Sequence, residues 1–261
     1  MNYIDFLELI AKQSGEVIKN NFKLGMSKEY KGDDTPVTKT DKEINSLIIF
    51  KINELYPTHS VKGEEESNIK NESDYVWVCD PVDGTIPFSS GLPICTFSLA
   101  LVYKGQPIAG VIYEPFMDRM LLAEKGKGTF LNGEKVSVNN RDNINEKSII
   151  AIENFKNAKY NLHKIDNELT ENINVKLFKL CSILYAGMMV AIGEFDGVIF
   201  PHITSHDGAS LKIIVEEAGG KMTDIYGNEQ RYDRDINGYI ASNGKTHNQL
   251  VKIVSDNIIL R

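Results

Sequence analysis

Val76-Trp77-Val78-Cys79-Asp80-Pro81-Val82-Asp83-Gly84-Thr85 carries the decisive reading of this chain. Val76 to Cys79 is a short apolar run with the residue types of a buried strand. Pro81 lacks a backbone donor, so the strand is expected to stop there. Two carboxylates and a Gly-Thr turn then stand together at a strand end, where open α/β sheets place their ligands. Asp80 and Asp83 are three residues apart across that turn and can converge. Carboxylates held close repel each other unless a cation lies between them or one takes a proton. A carboxylate-rich site suits Mg²⁺, which is commonly shared with a substrate phosphate. A helix beginning near Gly84 would direct free N–H groups at an anion. Alone, the hexapeptide also reads as an Asp-rich turn that caps a helix.

Upstream, Ile4, Leu7, Ile10, Ala11, Val17 and Ile18 share one face of a first helix. A polar stretch from Lys23 to Lys39 follows. Thr40 is expected to open a second helix, with Glu43 completing a capping box and Ile44, Leu47, Ile48, Ile52 and Leu55 on its apolar face. Val61-Lys62 leads into Gly63-Glu64-Glu65-Glu66. Downstream, Thr96 to Tyr103 and Ile108 to Tyr113 are β-rich runs joined by a turn at 104–107, and Asn132-Gly133 marks a hairpin. Asn139 to Lys147 is the best internal boundary, dividing a 1–145 α+β lobe from a 146–261 α/β lobe. In the second part, strands at Ile149–Ile152, Val198–Phe200 and Tyr239–Ala241 alternate with helices at Leu184–Ile192, Asp207–Ala218 and Thr246–Val254. Gly219-Gly220 ends the second of these helices.

The 261 residues, 42% hydrophobic and 25% charged, suffice for a sizeable core. A net charge of −7 without any basic run argues against nucleic-acid binding. No apolar stretch approaches a membrane span and the N-terminus has no signal-peptide pattern, so a cytoplasmic location is expected. Cys79, Cys95 and Cys181 show neither metal-ligand nor redox spacing and are expected as reduced thiols in the core.

Two further places matter. Glu64 follows a Gly at another strand end, and by itself reads as a solvated loop acid. Asp207 opens a helix, and by itself reads as an N-cap. Taken together with the hexapeptide, they discriminate. Glu64, Asp80 to Thr85, and Asp207 with the helix running into Glu217-Ala218-Gly219-Gly220 resemble the inositol monophosphatase family of Mg²⁺-dependent, lithium-sensitive phosphatases. Pro36 to Asp41, Gly63-Glu64-Glu65, Gly110 to Tyr113 and Ala123 to Gly128 extend the resemblance nearly end to end.

The resemblance implies an α/β (α+β) fold, a layered αβαβα sandwich, with the site between the two lobes. It implies Glu64, Asp80, Asp83, Asp207 and the Val82 carbonyl as ligands to two or three Mg²⁺ ions, with Mn²⁺ as an alternative. It implies phosphate held at Gly84 and Thr85, and water oriented by Thr85, Glu64 and Asp41. Glu65 would stand behind the ligands or add a contact. Asp83, Ser182, Phe200, His206 and Asp207 are expected on the substrate side. The partner is a small phosphorylated metabolite, and the assembly a homodimer. Replacing Asp83 by Asn is expected to remove activity without disturbing the fold.

The chain departs from the family pattern at four places. His206 stands where Trp is usual, Phe200 where enzymes acting on inositol phosphate often carry an acid, Cys181 where Gly is frequent, and Ile86 to Gly91 replaces the commoner continuation. The expected substrate is a polyol or sugar phosphate such as inositol 1-phosphate. Histidinol phosphate, fructose 1,6-bisphosphate and a 3′-phosphonucleotide are the alternatives. A haloacid-dehalogenase-type phosphatase spaces its Asp pair two apart, unlike Asp80 and Asp83. A non-catalytic metal-binding or regulatory protein on the same fold is the reading from another class.

Overall fold

Side chains alternate along the central strands, and that alternation sets the layers. The computed structural model describes residues 2–32, 34–70, 72–155 and 158–260. The chain runs through α1 (Tyr3–Asn21), a ribbon of β1 (Glu29–Tyr30) and β2 (Pro36–Val37), and α2 (Lys39–Leu55). Then come β3 (Ser60–Gly63), β4 (Ser67–Asn68), β5 (Tyr75–Asp83) and the short helix α3 (Thr85–Ser89). A meander follows: β6 (Thr96–Tyr103), β7 (Gln106–Glu114), β8 (Arg119–Glu124), β9 (Gly128–Leu131) and β10 (Glu134–Val136). The rest comprises β11 (Ile149–Ile152), β12 (Tyr160–Asn161), α4 (His163–Asn167) with a π-helical turn, β13 (Lys176–Phe178), α5 (Ile183–Ala191), β14 (Gly197–Phe200), α6 (Ala209–Glu217), β15 (Lys221–Thr223), β16 (Tyr239–Ser242), α7 (His247–Asn257) and β17 (Ile259–Leu260).

Eight strands form one sheet in the order β10-β9-β8-β7-β6-β5-β3-β4. It is antiparallel except where β3 runs parallel to β5. Trp77, Cys79, Phe97, Leu99 and Val111 point to one face, under α1 and α2. Val78, Ala100, Val102 and Ile112 point to the other, where α5 and α6 lie. A five-stranded sheet, β13-β11-β14-β16-β15, covers the far side of α5 and α6 with Ala151, Val198, Phe200 and Ala241. Its remaining face carries Ile150, Ile152, Ile199 and Ile240 under α7. The layers are therefore αβαβα. Gly187 lets the central helices touch: a Cβ there would lie 2.4 Å from Leu211 Cδ1. Among the described residues no helix is long and apolar enough to cross a membrane.

Three local expectations change. Strand β5 does not stop at Pro81. Asp80 pairs with Ser98 and Asp83 with Thr96, so three steps on β5 oppose two on β6. Pro81 sits inside this bulge, where no ladder donor is needed. Helix α2 starts at Lys39, capped by Thr38, and Asp41 rather than Glu43 closes the capping box. The Thr-x-x-acid spacing fits both registers, and the extended backbone of Thr38 selects the earlier one. Helix α6 starts at Ala209 after Gly208, so Asp207 is not its cap.

Candidate active site

The acids reach the site from three places: the residue after β3, the bulged end of β5, and the turn before α6. Beyond β3, the Glu64 N–H donates to Cys79 O at 3.1 Å, which carries the β3–β5 pairing one residue further and sets Glu64 beside Asp80. In the β5 bulge, Asp80 Oδ1 accepts from the Val82 N–H at 3.0 Å, an Asx turn that fixes the carboxylate. Asp207 lies in the turn before α6, held by the Thr204 hydroxyl on Oδ2 and by Tyr239 Oη donating to its carbonyl at 2.9 Å. Ligand atoms of Asp80, Asp83 and Asp207 lie within 4.8 Å of one another. So do those of Glu64, Asp80 and His206, and of Asp41, Glu64 and Glu65. The structure thus brings Glu64, Asp80, Asp83 and Asp207 together.

The charges are poorly compensated. Burial, then Glu64, Asp83, Asp207 and Asp41, hold the Asp80 carboxyl well above its usual range. Burial and Asp207 push Asp83 up to about 7, against the hydrogen bonds it accepts. Burial also raises Asp207 and Glu65. Lys31, at the tip of the β1–β2 ribbon, supplies a cation. Its Nζ lies 2.7 Å from Glu64 Oε1 and 2.6 Å from Glu65 Oε1. Among the described residues the buried Asp80 and Asp83 have no cationic side chain in ion-pair contact, and the partly exposed Asp207 has only His206, whose Nε2 lies 3.4 Å from its Oδ2. A hard oxygen donor set with excess negative charge fits a divalent cation such as Mg²⁺ or Mn²⁺.

Asp83 has a second task. Its carboxylate accepts from Ser182 Oγ at 2.5 Å, Thr96 Oγ1 at 3.2 Å, and the N–H groups of Ile183, Leu184 and Tyr185 at 3.0 to 3.4 Å. It therefore caps α5 from the opposite sheet, and the helix dipole favours a negative charge there. Asp83→Asn would put an amide donor against those donors, so the expectation that the fold is undisturbed does not stand. Ser182 is wholly buried behind Asp83 and does not line the cleft.

Thr85 and Asp41 form a relay. Thr85 Oγ1 lies 3.1 Å from Asp41 Oδ1 and 2.9 Å from the Val82 carbonyl. Asp41 Oδ2 is fixed by the Thr38 N–H at 2.9 Å and Thr38 Oγ1 at 2.5 Å, which aims Oδ1 at Thr85. Burial raises Asp41 to about 6. Gly84 adopts φ +90°, and a Cβ there would meet Ile94 O and Ser182 Cβ at 2.8 Å, so the tight joint before α3 requires glycine.

A cleft of about 520 Å³ opens over these groups, with Val82, Gly84, Thr85, Phe200, His206 and Asp207 on its walls. Cys181, one of the four departures from the family pattern, lines it, and so do Lys31, Glu153, Phe155, His202 and Thr204, which the sequence reading does not single out. Glu153 follows β11 and His202 follows β14, so the strand-end logic that finds Asp80 reaches both. Lys31 gives no such signal. Cys79 and Cys95 are buried thiols as expected, but Cys181 faces the cleft with φ +52°. Glu153 is buried, and its Oε1 accepts from the Leu180 and Cys181 N–H groups at 3.1 and 2.8 Å. Burial raises it to about 7.

A model of the inositol monophosphatase family matches residues 2–258. The chain is 30% identical over 268 residues to inositol monophosphatase 2 of Solanum lycopersicum, covering 97% of this chain and 98% of that protein. It is 32% identical over 220 residues to the fructose-1,6-bisphosphatase/inositol-1-monophosphatase of Thermotoga maritima, covering 84% and 82%. A solved Thermotoga maritima IMPase is similar at a TM-score of 0.86 and 29% identity, covering 98% of both chains. With matches this long in sequence, and the same layers in space, the chain belongs to the inositol monophosphatase family.

Proposed function

We propose that this protein is a Mg²⁺-dependent phosphomonoesterase that transfers the phosphoryl group of a small phosphorylated alcohol to water. The observation that carries the reading is the convergence of Asp80 and Asp83 from β5 with Asp207 from the turn before α6, beside the Thr85–Asp41 pair. Glu64, Asp80, Asp83, Asp207 and the Val82 carbonyl would hold the cation, with His206 within reach of Glu64 and Asp80. When bound there, a divalent cation supplies Lewis acidity and neutralises phosphoryl charge.

The chain's own groups supply positioning and proton transfer. Gly84 and Thr85 at the start of α3 present backbone N–H groups to the phosphate. Thr85 Oγ1 takes a proton from the attacking water as it passes its own to Asp41 Oδ1. Asp41 suits a general base because its acidity, at about 6, lies near neutral. The bond between phosphorus and the ester oxygen breaks, that oxygen takes a proton from solvent and leaves as the alcohol, inorganic phosphate remains, and Asp41 gives up its proton to solvent. A polyol or sugar phosphate such as inositol 1-phosphate is of a size for the cleft, and the Thermotoga maritima relative's name couples two phosphates of that kind.

The test is a phosphatase screen with Mg²⁺ on inositol 1-phosphate, histidinol phosphate, fructose 1,6-bisphosphate, glycerol 2-phosphate and adenosine 3′,5′-bisphosphate. Turnover is expected, abolished by EDTA and by Asp80→Asn, and inhibited by Li⁺. Tight Mg²⁺ binding with no turnover of any member would establish the non-catalytic reading instead.

A further inference from the structure

On the reading of the cleft as a phosphomonoesterase site, we infer that its alcohol-binding end recognises an alcohol carrying a protonated nitrogen, through Glu153 and the rings of Phe155 and Phe200. Glu153 stands at the end of β11, 2% exposed, on the cleft wall. Both hydrogen bonds that its carboxylate accepts, from the Leu180 and Cys181 N–H groups, go to Oε1. Among the described residues no donor binds Oε2 and no basic side chain forms an ion pair with it. Lys179, next to the Leu180–Cys181 turn, forms its ion pair with Asp166 and acts on Glu153 only as a neighbouring charge. A buried carboxylate without a cation is costly to hold ionised, so a ligand cation at Oε2 gains both charge and hydrogen bonds.

The surroundings fit an ammonium or imidazolium better than a polyol. Phe200, His202 and Phe155 form a continuous aromatic wall, with ring centroids 5.4 Å apart for Phe200 and His202 and 5.2 Å for His202 and Phe155. Aromatic faces attract a cation, whereas the ring hydroxyls of a polyol would lose water against them without gaining partners. The phosphate end, at Gly84 and Thr85, and this wall share one cleft. A phosphomonoester whose alcohol carries the nitrogen would engage both ends of this cleft.

Glu153 also braces the turn that delivers Ser182 to Asp83, and the experiment separates that bracing from recognition. Glu153→Gln keeps a carbonyl acceptor for the Leu180 and Cys181 N–H groups and removes only the charge. The substrates are O-phosphoethanolamine, phosphocholine and histidinol phosphate in one arm, and glycerol 2-phosphate and inositol 1-phosphate in the other. For the wild-type protein with Mg²⁺, the best cationic substrate is expected to exceed both neutral ones by about 10-fold or more in kcat/KM. Glu153→Gln is expected to lower kcat/KM about 10- to 100-fold in the first arm and less than about 3-fold in the second. An equal loss in both arms assigns Glu153 to bracing alone and overturns the inference. So does a wild-type preference for the neutral arm, which needs no variant and leaves the phosphatase reading intact. No turnover in either arm would remove that reading and the inference with it.

Discussion

Asp80 and Asp83 look alike in the motif and do opposite things for the fold. The Asp83 carboxylate is surrounded by donors from Thr96, Ser182 and the first turn of α5. Asp80 accepts one backbone bond and faces the charges of Glu64, Asp83 and Asp207. Asp80→Asn keeps an acceptor for the Val82 N–H and deletes a repelling charge. In the cation-free protein it is therefore expected to raise the melting temperature by about 2–4 °C for each kcal/mol relieved. Asp83→Asn leaves buried donors unsatisfied and is expected to cost about 1–3 kcal/mol, lowering it. Both variants lose activity. Scanning fluorimetry in EDTA decides the matter, and shifts of the same sign in both variants would refute this division of labour. The sequence could place both acids at one strand end. It could not divide their roles, because the α5 residues that bind Asp83 lie about a hundred positions further along the chain.

Helix α7 is tied to its sheet by a buried histidine. His247, the first residue of α7, lies with Nε2 2.9 Å from Thr223 Oγ1 on β15 and Nδ1 2.9 Å from Ser242 Oγ on β16. Burial, then Lys221 and Lys212, lower its pKa from 6.5 to about 4. The unfolded chain takes up this proton first as pH falls. The stability the neutral ring contributes is thus fully present above 6.5 and is lost progressively down to about 4. That shift corresponds to about 3 kcal/mol. Urea melts across this window should show a smaller acid slope in His247→Gln than in the parent, and an unchanged slope would exclude His247 as its source. At this scale much was legible. The β-rich runs Thr96 to Tyr103 and Ile108 to Tyr113, the Asn132-Gly133 hairpin and the Gly219-Gly220 helix end need only local rules. The bulge that carries β5 past Pro81 was not legible, because register against β6 creates it. Lys31 was not either, since a ribbon brings it to Glu64 from 33 positions away.

Across the whole molecule, the active-site acids oppose folding until a cation joins them. Asp41 and Asp83 rise from 3.8 to about 6 and about 7, chiefly through burial, and burial with the neighbouring acids also holds Asp80 well above its usual range. A carboxyl with a raised folded pKa holds its proton more tightly in the folded state. Its contribution to stability is fully present below 3.8 and is lost as pH rises through the folded value. The cation-free protein should therefore lose stability from this cluster between about pH 4 and 7, opposite in sign to the effect of His247. A divalent cation binds the ionised cluster and competes with protons for it, so its stabilising effect must grow over the same window. Binding at a hundredfold excess over Kd contributes about 2.7 kcal/mol, equivalent to roughly 5–10 °C for a chain of this size. Melting temperatures at pH 5 and pH 8, each with EDTA and with saturating Mg²⁺, are expected to show most of that gain at pH 8 and little at pH 5. Asp80→Asn should remove most of the difference. A Mg²⁺ shift of equal size at both pH values would mean that the cation binds elsewhere, because no other grouping of acids among the described residues couples cation and proton in this way.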